Sequence, residues 1–254
     1  MDQEPIIRVE NFTAAYDGMV IIDDISFDVR RGEVFVILGG SGCGKSTLLK
    51  HMIGLYQPVA GAVYIGGDDI ASAEGAVRQR ILRRIGVMYQ QGALFGSLTL
   101  LENVRLPLEE FTRLPSDAID VIARMKLQLV GLDGYAAHMP SEISGGMRKR
   151  AAIARAMALD PEMLFLDEPS AGLDPITSAE LDQLILRLAR SLGVTFVVVT
   201  HELPSIDAIA DRVIMLDKRV KKIVAVGQPQ ELRERSENPW VRQFFNREAN
   251  ASAG

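Results

Sequence analysis

The chain has 254 residues with 28 basic and 33 acidic side chains, a formal net charge of −5. This charge argues against a general nucleic-acid binder, which would present a basic face. A hydrophobic content of 48% is typical of a globular protein of one or two domains with a sizeable core. The single cysteine excludes an intramolecular disulfide and favours a reducing compartment. The acidic start MDQEPIIRVE and the short apolar runs lead us to expect neither a secretory signal nor a membrane-spanning helix.

Two kinds of strand are predicted. ISFDVR (residues 25–30) alternates apolar and polar residues, as a half-buried antiparallel strand does. VFVIL (34–38), MLFLD (163–167) and TFVVVT (195–200) are continuously apolar, which predicts parallel strands covered on both faces. We therefore expect an α/β fold with a mostly parallel sheet and an N-terminal antiparallel β-subdomain.

The stretch between VFVIL and MLFLD is mainly helical in pattern, which predicts a helical subdomain inserted over residues 91–159. The nucleotide-binding core with its antiparallel sheet would then comprise residues 1–90 and 160–228. Residues 229–254 would form a C-terminal segment ending in the frayed tail NREANASAG. The whole chain is thus expected to be one domain built from three parts.

Residues 39–47 read GGSGCGKST, which matches G-x-x-x-x-G-K-[ST] between an apolar strand and a helical run, the context of a P-loop. The glycines let backbone amides approach phosphates, Lys45 reaches the β- and γ-phosphates, and the Ser46 hydroxyl can coordinate Mg²⁺. The sequence therefore predicts binding of ATP with Mg²⁺. The predicted ATP-binding residues of the loop are Gly39, Gly40, Ser41, Gly42, Cys43, Gly44, Lys45, Ser46 and Thr47.

Cys43 lies in this loop close to a helix N-terminus, which would lower the pKa of its thiol. We interpret Cys43 as a tolerated small residue and not as a redox group. Because it should lie against the phosphates, alkylation is expected to block nucleotide binding, and bound ATP should protect it.

In the helical stretch, PSDAIDVIARMKLQLVGL (115–132) predicts a helix with Ser116 as its N-cap and Gly131 as its stop. Its apolar face is expected to comprise Ile119, Ile122, Met125 and Leu129.

The segment SEISGGMRKRAAIARA (141–156) places Ser144 as an N-cap before a basic helix. Gly145 and Gly146 would let another molecule approach the backbone, and bare amides at a helix N-terminus bind anions. Arg148 and Lys149 are each interpreted as part of a solvated basic face.

The strand MLFLD delivers Asp167 to its end, where a carboxylate can hold the magnesium shell. Glu168 follows at once and could orient or deprotonate a water. Together with the P-loop, these residues predict a magnesium-dependent nucleotide hydrolase.

Five motifs occur in the chain in a fixed order: the P-loop, ISGGM, LFLDEP, SAGLD and a strand ending in TH. On these motifs the chain resembles the nucleotide-binding domain of ABC ATPases over roughly residues 6–230. The resemblance implies that Tyr16 stacks on adenine and that Asp174 communicates across a dimer. It also implies that Gln90 contacts magnesium and the attacking water, with Gln91 as the neighbouring alternative, and that His201 contacts the γ-phosphate. The implied catalytic residues are Glu168, His201, Gln90 and Lys45, and the implied magnesium ligands are Ser46, Gln90 and Asp167.

The same resemblance implies a head-to-tail homodimer in which ATP is held between two copies. Ser144, Gly145, Gly146 and Met147 would then bind the ATP held by the other copy's P-loop. The sequence departs from the commonest family pattern at Ile143, which replaces leucine, and at Met147, which replaces glutamine. Met147 lacks a side-chain amide, but the backbone amides remain, so hydrolysis is expected to survive.

The chain resembles the Mla-type ATPases in several short segments, namely QGALFGSLT (91–99), the downstream ENV and PL, SGGM and LDPIT. This resemblance implies a subunit that drives phospholipid transport between the membranes of Gram-negative cells. Its implied partners are a transmembrane permease, an Mce-domain protein and a STAS-domain protein docked on the helical subdomain, with no nucleic acid. The implied location is peripheral, at the cytoplasmic face of the inner membrane.

Three other functions fit the same motifs. An ABC importer subunit for polar amino acids or another small solute would differ only in its partners. A soluble ABC ATPase acting in DNA repair or on the ribosome usually has a coiled-coil insertion or a second ATPase domain, which this sequence lacks. A module that senses ATP without hydrolysis is disfavoured by Glu168 and His201. The segment NPWVRQFFNR (238–247), with Trp240 interpreted as exposed, could dock on its own core, on a second copy or on a partner.

Overall fold

The computed structural model describes residues 5–247 and is a mixed α/β fold built on two sheets. Most of the predicted C-terminal tail, residues 248–254, lies outside this range. Within the described range, none of the helices combines the length and apolarity needed to cross a bilayer.

The smaller sheet is antiparallel and contains the predicted N-terminal strand pattern. Its strands are β1 (Ile7–Tyr16), β2 (Met19–Val29), β4 (Ala60–Ile65) and β5 (Asp68–Asp69), in the order β2-β1-β4-β5. ISFDVR lies in β2 and pairs with β1, so the prediction of an antiparallel strand is confirmed.

The larger sheet has six strands and carries the three apolar runs. Its strands are β3 (Val34–Gly39), β6 (Ile85–Met88), β7 (Met163–Asp167), β8 (Thr195–Val199), β9 (Arg212–Asp217) and β10 (Lys222–Gly227). The order is β10-β9-β3-β8-β7-β6, and only β10 pairs antiparallel. Strands β3 and β8 are buried along their whole length because both faces are covered. Parallel strands end at a common edge, so the residues after β3, β7 and β8 are brought together there.

Nine helices surround these sheets in the described range: α1 (Lys45–Met52), α2 (Gly75–Arg83), α3 (Leu100–Phe111), α4 (Ser116–Leu129), α5 (Gly145–Ala156), α6 (Pro175–Leu192), α7 (Leu203–Ile209), α8 (Pro229–Arg235) and α9 (Pro239–Asn246). Two short 3₁₀ turns cover Asp133–Tyr135 and Pro140–Glu142. Helices α3, α4 and α5 fall in the stretch predicted to be helical.

The predicted helix at 115–132 exists as α4, but its cap and buried face differ from the prediction. Pro115 is the N-cap, and Ser116 is the first helical residue. Ile119 is buried as predicted, whereas Met125 and Leu129 are exposed. Lys126 is buried instead, because its amine reaches Asp160 outside the helix.

The C-terminal helix α9 docks on its own chain. Val241 and Phe245 are buried in the same apolar core as α5 and α6. Trp240 is half-buried rather than exposed, and Arg219 lies over its ring at 5.2 Å. Of the three docking possibilities left open by the sequence, the structure has α9 on its own core.

Candidate nucleotide site

The P-loop closes a cavity of about 680 Å³ at the carboxyl edge of the larger sheet. Gly39 has φ +149°, and a Cβ there would lie 2.4 Å from the Leu216 carbonyl oxygen, so only glycine fits. Gly44 has φ +99° and precedes the first turn of α1. The cavity is lined by Ile21, the loop residues 39–47, Gln90, Glu168, His201 and Phe244. All nine predicted P-loop residues therefore face one space.

Lys45 is held inside the loop. Its side chain is buried, and Nζ donates to the carbonyl oxygens of Gly39 at 2.9 Å and Gly40 at 3.2 Å. These carbonyls partly offset the cost of burying a cation. They also fix the ammonium at the wall of the cavity, where it can meet a phosphate.

The predicted low pKa of Cys43 is wrong. The Cys43 side chain is buried in the apolar core, and this burial raises the pKa of the thiol more than nearby Lys45 lowers it. The sulfur lies beneath Gly39, where an added Cβ would come within 2.6 Å of it. The thiol therefore packs under the loop, where nearby backbone amides lower its pKa less than burial raises it.

Ser46 and Asp167 meet across the site. Ser46 Oγ donates to Asp167 Oδ1 at 3.2 Å, which joins the start of α1 to the end of β7. Burial raises the pKa of Asp167, and the Ser46 hydrogen bond only partly opposes this. Lys45 and Lys50 also lower this pKa less than burial raises it, so the half-buried carboxylate is suited to a bound cation.

Glu168 and His201 form a second pair. Glu168 is buried, has φ +48°, and its amide donates to the Val199 carbonyl oxygen at 2.8 Å. Its Oε1 lies 2.8 Å from His201 Nδ1, while Oε2 has no hydrogen-bond partner in the part of the chain described. A strained backbone and an unpaired buried carboxylate oxygen are typical of a functional site.

Gln90 and Gln91 are both exposed, but only Gln90 lines the cavity. The structure therefore favours Gln90 over its neighbour as the residue that faces the nucleotide. Tyr16 lies outside this cavity, at the exposed end of β1.

The segment Ser144–Met147 also lies outside the cavity of its own chain. Ser144 caps α5, as predicted, by accepting the Met147 amide at 3.2 Å. Gly146 is buried within the chain, because a Cβ there would lie 2.3 Å from Thr177 Cγ2. Gly145 has ordinary space for a Cβ, with Leu173 Cδ2 at 3.6 Å. Of the two glycines, Gly145 is thus the one with room for another molecule.

Asp174 caps α6. Its carboxylate accepts the amides of Ile176 and Thr177, both at 3.1 Å, and the Thr177 hydroxyl at 2.5 Å. The Thr177 hydrogen bonds lower the pKa of Asp174. Because Thr177 also packs on Gly146, the cap joins the start of α6 to the start of α5.

The prediction of a solvated face holds for Arg148, which is exposed, and is wrong for Lys149. Lys149 is 7% exposed, and its amine contacts the carbonyl oxygens of Gln90 and Glu168. Sequence analysis also missed Phe244, which reaches the cavity from α9. Neither contact has a local signal, because the partners lie far away along the chain.

Comparison with known proteins adds family relationships to this geometry. The profile of the family described as "ABC transporter" matches residues 22–171. The "Probable ribonucleotide transport ATP-binding protein mkl" of Mycobacterium leprae is 42% identical over 94% of this chain and 68% of its own length. The "Intermembrane phospholipid transport system ATP-binding protein MlaF" of Escherichia coli K12 is 43% identical over 89% of this chain and 83% of its own. The MlaF protein of Haemophilus influenzae is 39% identical over 96% of this chain and 91% of its own length.

Solved structures share the fold. The ATP-binding cassette MJ0796, in a dimeric post-hydrolysis state bound to ADP and Pi, superimposes with a TM-score of 0.79 at 31% identity, covering 87% of this chain and 98% of that one. The protein cbiO1 of Clostridium perfringens gives a TM-score of 0.83 at 29% identity, covering 90% of each chain.

Proposed function

The chain belongs to the ABC transporter ATPase family, and we propose that it is a magnesium-dependent ATPase subunit that drives phospholipid transport through a separate permease. The observation that carries the ATPase part is the convergence of Lys45, Asp167 and Glu168 on the P-loop edge of the sheet. The phospholipid part rests on the MlaF relatives, whose names state that activity and whose similarity extends over most of both chains.

The residues present fit a magnesium ion. Mg²⁺ is usually bound by one or two protein oxygens together with substrate phosphates. Ser46 Oγ and Asp167 Oδ1, 3.2 Å apart, supply two such oxygens, and the exposed Gln90 amide lies at the same cavity. The described residues contain no cluster of three His, Cys, Asp or Glu side chains that could hold a metal alone. When bound, the ion would neutralise charge on the β- and γ-phosphates.

Glu168 is the general base in this proposal. With Oε1 fixed by His201 Nδ1, Oε2 is left to accept the proton of the attacking water. The water oxygen forms a bond to the γ-phosphorus, the bond to the bridging oxygen breaks, and ADP leaves with the electron pair. In the imidazolium form both ring nitrogens of His201 donate, so the second one can bond a γ-phosphate oxygen while Nδ1 stays on Glu168. Lys45 stabilises the charge on the same phosphate.

The second half of the site comes from another copy of the chain. The capped start of α5 offers backbone amides at Ser144 and Gly145 but does not reach the cavity of its own chain. In a head-to-tail dimer, each α5 would face the γ-phosphate of the opposite P-loop, with Met147 beside it. Asp174 and Thr177, which brace α5, would carry contacts across the dimer. Tyr16, exposed at the end of β1, would stack on adenine.

A membrane permease would dock next to the loop 91–99. Phe95 is 51% exposed there, and a fully buried Asn103 holds the loop rigid. The Asn103 side chain accepts the Phe95 amide and donates to the carbonyls of Phe95, Leu98 and Thr99. A rigid loop that displays an aromatic ring suits a protein interface. The inserted helical part, residues 91–159, would thus receive the permease and follow its movement.

A STAS-domain protein would bind the outer face of α4. Val121, Met125 and Leu129 recur every four residues there and are 59%, 57% and 43% exposed. Such a row of exposed apolar side chains marks a protein-binding surface. With an Mce-domain protein on the permease, the complex would hold this subunit at the cytoplasmic face of the inner membrane.

The test is to tag the chain in its native cell, extract membranes in mild detergent, and identify copurifying proteins and lipids by mass spectrometry. A permease arriving with Mce-domain and STAS-domain proteins and bound phospholipid is expected. An amino-acid or ribonucleotide permease, or soluble nucleic-acid factors alone, would overturn the phospholipid assignment. In that case the ATPase assignment would still be judged by turnover of the purified chain.

A further inference from the structure

Helix α5 carries a buried cation that faces backbone carbonyls and not the solvent that the sequence predicts. Lys149 lies at its fifth residue and is 7% exposed. Its amine donates to the carbonyl oxygen of Gln90 and, at 3.3 Å, to that of Glu168. Burial lowers the pKa of Lys149, whereas the nearby carboxylate of Glu168 raises it. A buried ammonium that contacts two backbone oxygens fixes the distance between them.

Arg155 attaches the next residues of the same loop to the other end of α5. Its guanidinium donates to the carbonyl oxygens of Gly92 at 2.9 Å and Ala93 at 2.6 Å. Gly92 packs on Ala152, since a Cβ there would lie 3.3 Å from Ala152 Cβ. The segment 90–93 is therefore held along α5 at two points, Lys149 and Arg155, which lie less than two helical turns apart.

The two residues joined by Lys149 are otherwise held by different parts of the chain. The Glu168 backbone bonds to Val199 and Ala171, whereas Gln90 lies in the loop after β6. Gln90 is exposed, and the backbone of Glu168 has φ +48°, a conformation that persists only when its surroundings hold it. One amine thus restrains the residue before the 91–99 loop and the residue after β7. Both side chains face the P-loop cavity, whereas the Lys149 amine does not line it.

We propose that Lys149 is a positioning residue that sets Gln90 and Glu168 relative to each other and ties both to the helix that begins at Ser144. This inference rests on the proposed ATPase function. Any movement of α5 that brings Ser144 and Gly145 to the opposite copy's nucleotide then carries Gln90 and Glu168 with it. Lys149 does not line the cavity and acts through the two carbonyls.

The test compares three variants of the full-length chain. Lys149→Met keeps the apolar stem and removes the donor, Lys149→Arg restores a donor, and Arg150→Met is the matched control. Arg150 neighbours Lys149 on α5, and its side chain forms an ion pair with Glu180 on α6, 3.2 Å away. For each variant, ATP affinity, KM, kcat and thermal midpoint are measured.

Lys149→Met is expected to lower kcat by about 10- to 100-fold, because a displacement of about 1 Å in a catalytic group costs that much. ATP affinity and KM should change by less than about threefold, since the P-loop is intact. Lys149→Arg should recover most of kcat, and Arg150→Met should stay within about twofold of the parent. In a Gln90→Ala background, removing Lys149 should cost less than in the parent, because one of the two side chains that Lys149 positions is then already absent.

A kcat within twofold of the parent for Lys149→Met would overturn the inference. So would equal losses of kcat and thermal stability in Lys149→Met with no recovery in Lys149→Arg, which indicate a purely structural role. If Lys149→Met does not fold, the comparison of Lys149→Arg with Lys149→Gln decides in the same way. Failure of the parent chain itself to hydrolyse ATP would instead overturn the proposed function.

Discussion

The P-loop and the Ser144–Gly146 segment both place glycine and serine at the start of a helix, yet their surroundings differ. At the P-loop, a buried lysine, Ser46 and the Glu168–His201 pair all line one cavity, and Asp167 bonds to Ser46 beside it. At the start of α5, Ser144 is exposed, and the nearby lysine, Lys149, faces the interior. A helix N-terminus alone is therefore half of a phosphate site. In the proposed dimer, the second half is supplied by the other chain.

Replacement of the proposed base should have the largest effect on turnover. Glu168→Gln keeps the shape of the side chain but removes its capacity to accept a proton. We expect a loss of at least ~10²-fold in ATP hydrolysis. ATP binding should be retained and the closed dimer favoured, as measured by equilibrium binding and by size-exclusion chromatography with ATP. Near-normal turnover would remove Glu168 from this role.

Changes in the two glycine-rich elements should separate binding from turnover. Lys45→Met should abolish ATP binding, since it removes the cation that the P-loop carbonyls hold. Gly145→Asp should leave ATP binding intact and reduce turnover by about 10²-fold, the scale of a lost charge-stabilising donor. Gly145 has space for a Cβ, and an acidic residue suits a helix start, so the fold should persist. Loss of ATP binding in Gly145→Asp would place the segment in its own chain's site.

A change at Asp182 should affect stability and leave both the P-loop and the start of α5 functional. Burial raises the pKa of Asp182, on α6, from an ordinary 3.8 to about 6, and its Oδ1 has no hydrogen-bond partner among the described residues. Since the folded state binds more protons than the unfolded state between about pH 4 and 6, stability falls as pH rises through this range. Asp182→Asn should therefore stabilise the protein at pH 8 by about 1–3 kcal/mol.

Urea denaturation at pH 8 and pH 5 measures this effect. The advantage of Asp182→Asn should shrink at pH 5, where the native carboxyl is largely protonated. Glu180→Gln, an exposed position on the same helix, serves as the control and should change stability by less than about 1 kcal/mol. A constant advantage at both pH values would show that ionisation of Asp182 is not the cause.

The smallest effect is expected at Met147. Ser144 caps α5 through the Met147 backbone amide, so the cap does not depend on the Met147 side chain. Met147→Gln should preserve the fold and change kcat by less than about threefold, because one added neutral hydrogen bond at the low end of its usual range contributes about 0.5 kcal/mol. A tenfold increase in steady-state turnover would show that the side-chain amide contributes directly.

Short-range patterns in the sequence were sufficient to predict the P-loop, the buried parallel strands and the Ser144 cap. Each depends on neighbouring residues, such as the apolar run before Gly39. The errors concern burial by distant segments. Cys43 is covered by the core, Lys126 meets Asp160, and Lys149 contacts a loop 59 residues away.

The same reason explains Gly146 and Phe244. The sequence predicted that Gly146 would be open to another molecule, but Thr177 from the next helix fills that space. Phe244 lies beyond the recognised motifs, and only the docking of α9 on the core brings it to the cavity. Local sequence patterns predict which residues could bind a ligand. Tertiary packing decides which of those residues remain accessible to one.

Mixing two inactive variants tests the central claim most directly, namely that each α5 start completes the P-loop site of the other copy. Lys45→Met and Gly145→Asp chains are each expected to be inactive alone. A mixed dimer contains one site with both elements intact. Random mixing should restore about a quarter of wild-type hydrolysis, because half of the dimers are mixed and each has one working site. A mixture no more active than its separate components would contradict the account.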